Sequence, residues 1–232
     1  GDVAAFDSIP QYKLGSAIEY PFYIILGILT GLAASIFIKS LNFVEIEFEK
    51  IKIIPVPLKT CLGGLFVGAI ALSFPHILGN GFDVTADLIS LDSDDNGDII
   101  VGENLTNDGN SESIIDDLLI FIFSIMALKI IATSVSIGSG GSGGIFTPSL
   151  FIGAAIGAGM GLFMNDLGII THPGAFALVG MAAFVASTTR ATLTAIVLLF
   201  EMTATYEIIL PLMLSCVVAD ATCYVVSKES AY

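Results

Sequence analysis

A glycine-rich segment between two long apolar runs constrains this chain more than any other feature of its sequence. Five of the seven residues 138–144 are glycine, and the apolar pair Ile145 and Phe146 separates them from Thr147 and Pro148. Backbone this irregular is excluded from lipid, where its amides would stay unpaired, and occurs at membrane depth only beside a cavity or within packed protein. Proline favours the first turn of a helix, where its missing N–H costs nothing. The pattern predicts a helix that begins here with free amides facing a cavity, an arrangement that binds anions without Lys or Arg.

The composition is that of a membrane protein. Hydrophobic residues make up 55% of the chain and charged residues 13%, whereas soluble domains carry about 25% charged residues. The sequence therefore lacks the polar surface that a soluble domain of 232 residues needs. It starts at Gly1 in a polar stretch without a signal peptide, which indicates a fragment of a longer protein. The three cysteines lie in apolar segments, and we interpret them as packing residues.

Seven apolar runs organise the chain, at residues 21–38, 60–78, 118–137, 148–164, 174–187, 191–200 and 207–226. A membrane crossing takes about 20 apolar residues, so the first, second and last run are long enough and several others are short. Short, glycine-interrupted segments are typical of broken or re-entrant helices around a binding site near the membrane midplane. Glycines four residues apart, which permit close helix contact, occur as the pairs Gly27 and Gly31, Gly64 and Gly68, and Gly153 and Gly157.

The distribution of charge predicts an orientation. Lys39, Lys50, Lys52 and Lys59 lie in or beside the connection between the first two apolar runs, which the positive-inside rule places in the cytoplasm. Residues 80–117 contain no Lys or Arg but hold 11 of the 22 acidic residues, so we expect them outside. The formal net charge of −14 argues against nucleic acid or anionic lipid as a partner.

Four segments carry a resemblance to a known family, and they are Gly138-Ser-Gly-Gly-Ser-Gly-Gly-Ile-Phe-Thr-Pro148, Pro75-His-Ile-Leu-Gly-Asn-Gly-Phe82, Gly180-Met-Ala-Ala-Phe-Val-Ala-Ser-Thr-Thr-Arg-Ala-Thr-Leu-Thr194 and Phe200-Glu-Met-Thr203. Together they resemble the signatures of the CLC family of chloride channels and chloride/proton exchangers. The similarity extends from about residue 18 to the end and covers the C-terminal half of that family's transmembrane unit. Ser142 and Thr192 stand where the family usually has proline.

The resemblance implies the fold class: an all-α, multi-pass membrane protein with tilted, short and broken helices, forming the second half of an inverted-repeat transporter. It implies an extracellular linker at 1–17 and a transmembrane domain at 18–232, with an acidic extracellular loop at about 90–113. The protein would lie in the lipid bilayer of the cell membrane as a homodimer, together with the N-terminal half. The dimer contact would include residues 191–202 and 206–222.

The resemblance further implies that the substrate is chloride and that no covalent chemistry occurs, so we expect neither an enzyme nor a cofactor. Chloride would be bound by the backbone amides of Gly144, Ile145 and Phe146 and by the hydroxyl of Tyr232, which lies 21 positions after Pro211. A phenol is a neutral donor and adds no charge that would trap the anion. The alternative interpretation is that Ile145 and Phe146 are apolar packing residues and Tyr232 an ordinary terminal residue.

For the charged residues within or beside apolar runs, a structural role is considered before a functional one. Lys129 lies inside its segment, where a buried Lys needs a partner; the resemblance also places a basic residue here, which makes Lys129 a candidate for attracting anions. Arg190 and Glu201 lie at the edges of apolar runs, and we interpret them as structural. His76 and His172 are not assigned to a metal.

An acidic motif lies outside the resemblance. Residues 92–103 match the twelve-residue calcium loop of EF-hands, with oxygen ligands at loop positions 1, 3 and 5, Gly at 6, an apolar residue at 8 and Glu at 12. The candidate ligands are Asp92, Asp94, Asn96, the backbone carbonyl of Asp98 and Glu103. The alternative is a solvated acidic loop, since the sequence that follows predicts no second helix.

The predicted function is transmembrane transport of chloride, through a channel or a chloride/proton antiporter. The choice between these stays open, because the family's gating and proton-transfer glutamates lie in its N-terminal half. A rival of a different class is a non-transporting membrane scaffold or receptor subunit that binds a partner or calcium through the acidic loop. A second rival is an anion transporter of another fold.

Overall fold

The computed structural model describes residues 19–51, 55–79, 81–93, 99–100, 114–167, 172–203 and 208–227. In these ranges the chain forms eight α-helices: α1 Tyr20–Lys50, α2 Val56–Ser73, α3 Phe82–Ile89, α4 Ile114–Gly138, α5 Phe146–Asp166, α6 Pro173–Thr189, α7 Thr192–Thr203 and α8 Ile209–Val226. The other regular elements described are a 3-10 turn at Pro75–Ile77 and an antiparallel strand pair, β1 Asp92–Ser93 and β2 Ile99–Ile100. The helical class predicted from the sequence is confirmed; the predicted linker at 1–17 lies outside the described residues.

Four helices in the described part are long and apolar enough to cross a membrane: α1, the segment Leu118–Gly138 of α4, α5, and α8. The sequence-based choice of 60–78 as a single span is wrong, because α2 ends at Ser73. A residue before proline is disfavoured in helical conformation, and Phe74, which precedes Pro75, leaves the helix with φ −134° and ψ 78°. The runs at 118–137 and 148–164 instead extend to spanning length.

Helices α5 and α6 form the centre of the fold. Every residue of α6 from Pro173 to Thr188 is buried, and α6 packs against α5, α1 and α8. The α5–α6 contact is so close that side chains are excluded: a Cβ on Gly153 would lie 2.5 Å from the carbonyl oxygen of Gly180, and one on Gly157 would lie 2.0 Å from that of Phe176. The glycine pair predicted to permit close contact in α5 does so.

A second glycine-mediated contact joins α1 to α8. A Cβ on Gly27 would lie 2.8 Å from the carbonyl oxygen of Ser215, and one on Gly31 would lie 2.5 Å from that of Ala219. The third predicted pair is wrong for the described part of the chain, because nothing there lies within 4 Å of a Cβ placed on Gly64 or Gly68. Spacing alone does not distinguish a packed glycine pair from one on an open helix face.

The α5–α6 contact generates a stability prediction. Gly157→Ala should lower the free energy of unfolding by about 3 kcal/mol, because the added methyl group overlaps a backbone oxygen that cannot move without displacing α6. The measurement is chemical or thermal unfolding in detergent micelles.

Gly159→Ala on the same helix is the matched control. Its nearest neighbour is the ring tip of Phe123 at 3.0 Å, a 44% exposed side chain that can rotate away. Its effect should stay below about 1 kcal/mol, because replacing a mid-helix glycine by alanine is itself favourable. Equal losses in the two variants would contradict the packing argument.

Candidate functional site: a broken helix facing a cavity

Helix α4 ends in a turn whose amides donate hydrogen bonds to carbonyl groups of the helix's last turn. Gly140 has φ +89°, a left-handed conformation that favours glycine. The amide of Gly141 donates to the carbonyl of Ser136 at 3.1 Å, and the amide of Gly140 donates to that of Ile137 at 2.9 Å. These two bonds define a Schellman motif, which satisfies carbonyls that a helix end otherwise leaves open.

The turn after α4 is anchored from two neighbouring helices. The hydroxyl of Thr60 on α2 donates to the carbonyl of Ser139 at 3.0 Å. A Cβ on Gly138 would lie 2.7 Å from Cγ1 of Val44 on α1. The helix end is therefore fixed in place, and fewer of its carbonyl groups lack a hydrogen-bond donor.

Helix α5 begins without the pairing that closes α4. Ile145 occupies the cap position and has no side-chain cap hydrogen bond, while Phe146 is the first helical residue. Among the described residues, no acceptor pairs with the backbone amides of Gly144, Ile145 or Phe146, as the geometry of a helix start requires. The helix start predicted at the glycine-rich segment is confirmed, since α4 ends at Gly138 and α5 begins at Phe146. The side chains of Ile145 and Phe146 are half-buried against the hydrophobic core, so they anchor the helix start.

A cavity of about 280 Å³ lies against this break. Its lining comes from both sides of the break, from α4 and from the segment before α3: Val67, Ile77, Leu78, Gly79, Lys129, Ala132, Thr133, Ser136, Ile137, Gly143, Gly144, Thr147 and Pro148. A Cβ on Gly144 would meet nothing within 4 Å, so its backbone borders open space. Exposed backbone beside a helix N-terminus is a physical requirement for direct anion binding.

Lys129 has the partners that a buried cation within the membrane requires. Its side chain is 3% exposed, and Nζ donates to the carbonyl oxygens of Ile77 at 2.9 Å and Gly79 at 3.0 Å. It also lies 5.6 Å from the ring centroid of Phe151, a cation–π distance. Lys129 thus brings positive charge to the cavity wall and engages two carbonyls that border it.

The segment that receives Lys129 is shaped by two glycines. Gly79 has φ +71° and Gly81 has φ +76°, a region that side chains disfavour. A Cβ on Gly81 would also lie 3.1 Å from the ring of Phe151 and 3.5 Å from Nζ of Lys129. These conformations hold two carbonyls within reach of one ammonium group.

The predicted site residues divide between the described and undescribed parts of the chain. Gly144, Ile145 and Phe146 lie together at the helix start, with Gly144 on the cavity. Tyr232 lies outside the described residues. Of the calcium candidates, the structure describes only the backbone of Asp92, which pairs with Ile100; Asp94, Asn96, Asp98 and Glu103 lie outside it.

The sequence analysis missed the hydroxyl groups of the cavity. Thr133 and Ser136 line it from α4, and Thr147 lines it from α5. The signal was present, because Lys129, Thr133 and Ser136 follow one another at helical spacing in α4 and so share one face. These hydroxyls are neutral donors of the kind that suits an anion.

The remaining charged residues are placed as structural groups. Arg190 contacts Asp220 on α8, and Glu201 is exposed on α7. Thr192, which stands where the family usually has proline, begins α7 and donates to Oδ2 of Asp220 at 3.0 Å. In the part of the chain that the structure describes, no group of three or more His, Cys, Asp or Glu side chains could hold a metal ion.

Comparisons with known proteins agree on one family. The family model described as voltage gated chloride channel matches residues 3–224. The chain is 32% identical over 227 residues to a putative chloride channel protein, ClcB-like, of Ralstonia nicotianae, covering 97% of this chain and 47% of that protein. It is 35% identical to chloride channel protein CLC-f of Arabidopsis thaliana, covering 92% of this chain and 26% of that protein.

Solved structures give the same result. A crystal structure of a slow cyanobacterial Cl−/H+ antiporter matches with a TM-score of 0.74 and 29% identity, over all of this chain and 49% of that one. A eukaryotic CLC transporter matches with a TM-score of 0.71 and 25% identity, over 94% of this chain and 35% of that one. The chain thus spans about half the length, or less, of the relatives it matches.

The lysine clamp generates a second prediction. Lys129→Met keeps an apolar stem but removes every donor, which leaves the carbonyls of Ile77 and Gly79 without the ammonium group. We expect a loss of about 1–3 kcal/mol in unfolding free energy, measured by unfolding in detergent. Lys50→Met is the control, since its pair with Glu47 is exposed and worth at most about 1 kcal/mol. Similar losses in both variants would show that Lys129 is not a clamp.

Proposed function

The chain belongs to the family of voltage-gated chloride channels, and we propose that it forms the C-terminal half of a protein that moves chloride across the membrane. The observation that carries this proposal is the helix break at 139–145, where no acceptor among the described residues pairs with the first amides of α5, which lie beside a cavity. Every helix start leaves its first amides without intrahelical acceptors, and at membrane depth such groups are costly unless another group accepts their hydrogen bonds. A bound anion provides the missing acceptor.

The balance of donors and acceptors favours an anion over a cation. The Schellman turn pairs the carbonyls of Ser136 and Ile137, and Lys129 pairs those of Ile77 and Gly79. Four carbonyls at or near the cavity are thereby occupied, while the amides at the start of α5 are left open. Helix N-termini carry roughly half a positive charge, which adds to this preference.

The mechanism we propose is coordination without covalent chemistry. The amides of Gly144, Ile145 and Phe146 would bind dehydrated chloride, and the hydroxyl of Tyr232 would add a neutral donor. Lys129 would attract the anion over a distance, while its hydrogen bonds to backbone carbonyls keep it from forming a direct, tight ion pair. Neutral donors suit conduction, since a site must bind strongly enough to admit an ion and weakly enough to release it.

Channel and proton-coupled exchange both use such a site, and we leave the proposal at chloride transport. The similarity to a Cl−/H+ antiporter structure and to proteins described as chloride channels covers both activities. The complete transporter would include a second half of similar size, given the share of each relative that this chain covers.

We propose that the complete protein is a homodimer through one face of α7 and α8. Large apolar side chains at helical spacing are exposed there: Leu193 at 75%, Val197 at 60%, Leu210 at 64% and Val217 at 58%. These positions fall within the contact regions 191–202 and 206–222 expected from the sequence. The same face is apolar enough for lipid, so the dimer rests on family membership as well as on exposure.

The scaffold alternative is less well supported. It gives no reason for a helix break, a paired lysine and a cavity to occur together, whereas anion transport requires all three. A scaffold would also retain its function with an uninterrupted α4–α5 helix.

The anion site is tested by deleting a single amide. Replacing the peptide amide of Phe146 by an ester, through incorporation of the α-hydroxy analogue, removes one N–H and keeps the side chain. In the complete protein, chloride binding should weaken by about 1.5–3 kcal/mol, the contribution of a hydrogen bond to a charged group. Chloride titration calorimetry in detergent measures it.

The control is the same ester at Phe151, whose position in the interior of α5 gives its amide an intrahelical acceptor. That variant should lose helix stability but keep its chloride affinity. Unchanged affinity in the Phe146 ester would remove this amide from the proposed site.

We propose, separately, that the acidic segment 92–103 binds Ca²⁺ outside the membrane. The observation in favour is the pairing of Asp92 with Ile100 and of Ser93 with Ile99, which brackets residues 94–98. Asp92, the first candidate ligand, lies on the strand that directly precedes Asp94, Asn96 and Asp98 in the sequence. Glu103 follows three residues after β2. Acidic residues in a segment without Lys or Arg repel one another unless a cation is bound.

Calcium titration of the whole protein tests this proposal. We expect saturable binding at about 10⁻⁴–10⁻³ M, the range of extracellular modules, and a rise in unfolding temperature with added Ca²⁺. Glu103→Gln should abolish both effects, because it removes a bidentate ligand, whereas Glu112→Gln, outside the motif, should change neither. Binding that survives Glu103→Gln would show that the segment attracts Ca²⁺ only through its overall acidity and lacks the proposed calcium site.

A further inference from the structure

One buried hydroxyl group on α4 differs from the other buried hydroxyls of the described helices. Thr133 is 7% exposed, and its hydroxyl has no hydrogen-bond partner among the described residues. Every other buried Ser or Thr in those helices donates to a backbone carbonyl oxygen, and these residues are Thr30, Ser35, Thr85, Ser134, Ser149, Ser187, Thr188 and Ser215. The exception therefore needs a cause of its own.

The usual acceptor for the Thr133 hydroxyl would be a carbonyl oxygen one turn earlier in α4. Serine and threonine within helices commonly bond the carbonyl three or four residues back, and a hydroxyl buried without a hydrogen bond costs free energy. The next residue, Ser134, makes this bond to the carbonyl of Ile130 at 2.8 Å. Thr133 instead lines the cavity of about 280 Å³ beside the helix break, and its oxygen is not sealed in by other atoms. Its hydroxyl can therefore donate to a molecule in the cavity.

Two further hydroxyl groups line the same cavity. Ser136 lies one turn after Thr133 on α4, and Thr147 lies in the first turn of α5, across the helix break. Both residues are half-buried, and neither hydroxyl has a partner among the described residues. Residues three apart on a helix are surface neighbours, with about 5–6 Å between their Cβ atoms. Thr133 and Ser136 therefore present two donors to one side of the cavity.

The charges around the cavity select the kind of molecule that these hydroxyls receive. Lys129 lies one turn before Thr133 and brings a buried ammonium group to the cavity wall. None of the described residues that line the cavity is acidic. Such a wall raises the local concentration of anions and repels cations. One water occupies about 30 Å³ in the liquid, so the cavity has room for an anion together with several of its waters.

We infer that the hydroxyls of Thr133 and Ser136, together with that of Thr147, form a second position for the transported anion. This position lies in the cavity that the backbone of Gly144 also lines, next to the amides at the start of α5. The anion keeps part of its water shell here, because the cavity is larger than a bare ion. The inference rests on the proposed function, since it concerns the same anion on its way to or from the amides.

Bromide replaces chloride and scatters X-rays anomalously, so it locates both positions in crystals of the complete protein. We expect two anomalous peaks, one at the amides of residues 144–146 and one at the cavity hydroxyls. Combining Thr133→Val with Ser136→Ala removes two donors and should abolish the second peak while the first remains. Ser134→Ala is the matched control on the same helix, because its hydroxyl is committed to the carbonyl of Ile130. It should keep both peaks.

Chloride uptake into liposomes that contain the complete protein measures the same change in solution. The variant with Thr133→Val and Ser136→Ala should need roughly tenfold more chloride for half-maximal uptake, because hydrogen bonds to a charged ligand are lost. Ser134→Ala should leave this concentration unchanged.

Thermal unfolding in chloride-free detergent separates a binding role from a structural one. Thr133→Val should not lower the unfolding temperature, because its hydroxyl has no partner to lose among the described residues. Thr188→Val makes the same change at a buried hydroxyl that donates to the carbonyl of Phe184 at 3.0 Å, and it should lower the unfolding temperature.

Four results would overturn the inference, and they are distinguishable. A single bromide peak at the amides would remove the second position and leave the proposed function standing. The absence of both peaks would overturn the proposed function as well. A second peak that survives Thr133→Val with Ser136→Ala would show that the hydroxyls do not hold the anion. Equal losses of unfolding temperature in Thr133→Val and Thr188→Val would show that the Thr133 hydroxyl bonds to protein.

Discussion

The structure depends on one constraint, which is that a backbone polar group at membrane depth needs a partner. Within the described residues the break between α4 and α5 meets this constraint asymmetrically. The C-terminal carbonyls of α4 are closed by a Schellman turn and by Thr60, while the N-terminal amides of α5 have no partner among the described residues. A symmetric break, with open carbonyls as well as open amides, would suit cations and anions alike. Two glycines make this turn possible: Gly140 adopts the left-handed conformation, and Gly141 has no Cβ, which would lie 2.5 Å from the carbonyl oxygen of Ser136.

The rest of the fold holds this break in position. Helix α5 cannot slide along α6, because Gly153 and Gly157 bring the two backbones into direct contact. Helix α6 is in turn enclosed by α1 and α8, which contact each other through Gly27 and Gly31. Tyr23 of α1 stacks on Phe176 of α6, with 4.5 Å between the ring centroids. The start of α5 is thus located by backbone contacts, which are stiffer than contacts between long side chains. Rigid placement matters because amides that bind an ion must hold their geometry without the ion present.

The sequence predicted the break, its location and its apolar surroundings, since glycine and proline act through local backbone geometry. It predicted helix existence well. Helix α7 begins at Thr192, where the family usually has proline, and the Thr192 hydroxyl donates to Asp220. It failed where the outcome depended on contacts distant in the chain. Gly64 and Gly68 have the same spacing as Gly153 and Gly157, and nothing local tells which pair meets another helix. The partners of Lys129 lie about fifty residues away, so the sequence required a partner without identifying it. The end of α2 at Ser73 could, by contrast, have been predicted from Pro75, because the residue before a proline disfavours helix. The apolar run continues past this point and suggested a longer span.

In the proposed chloride site, Lys129 would resolve a conflict that any anion pathway faces. Positive charge raises the local concentration of anions, yet a bare ammonium group in a low-dielectric cavity would bind chloride strongly enough to halt its passage. Here the ammonium group donates hydrogen bonds to the carbonyls of Ile77 and Gly79, which would otherwise repel an anion. In the proposed site, one residue would thus contribute long-range attraction, remove two acceptors from the cavity wall and leave close coordination to neutral donors. The hydroxyls of Thr133, Ser136 and Thr147 around the same cavity would extend this set of neutral donors away from the helix start, so an ion leaving the amides would meet further weak sites instead of bare hydrocarbon.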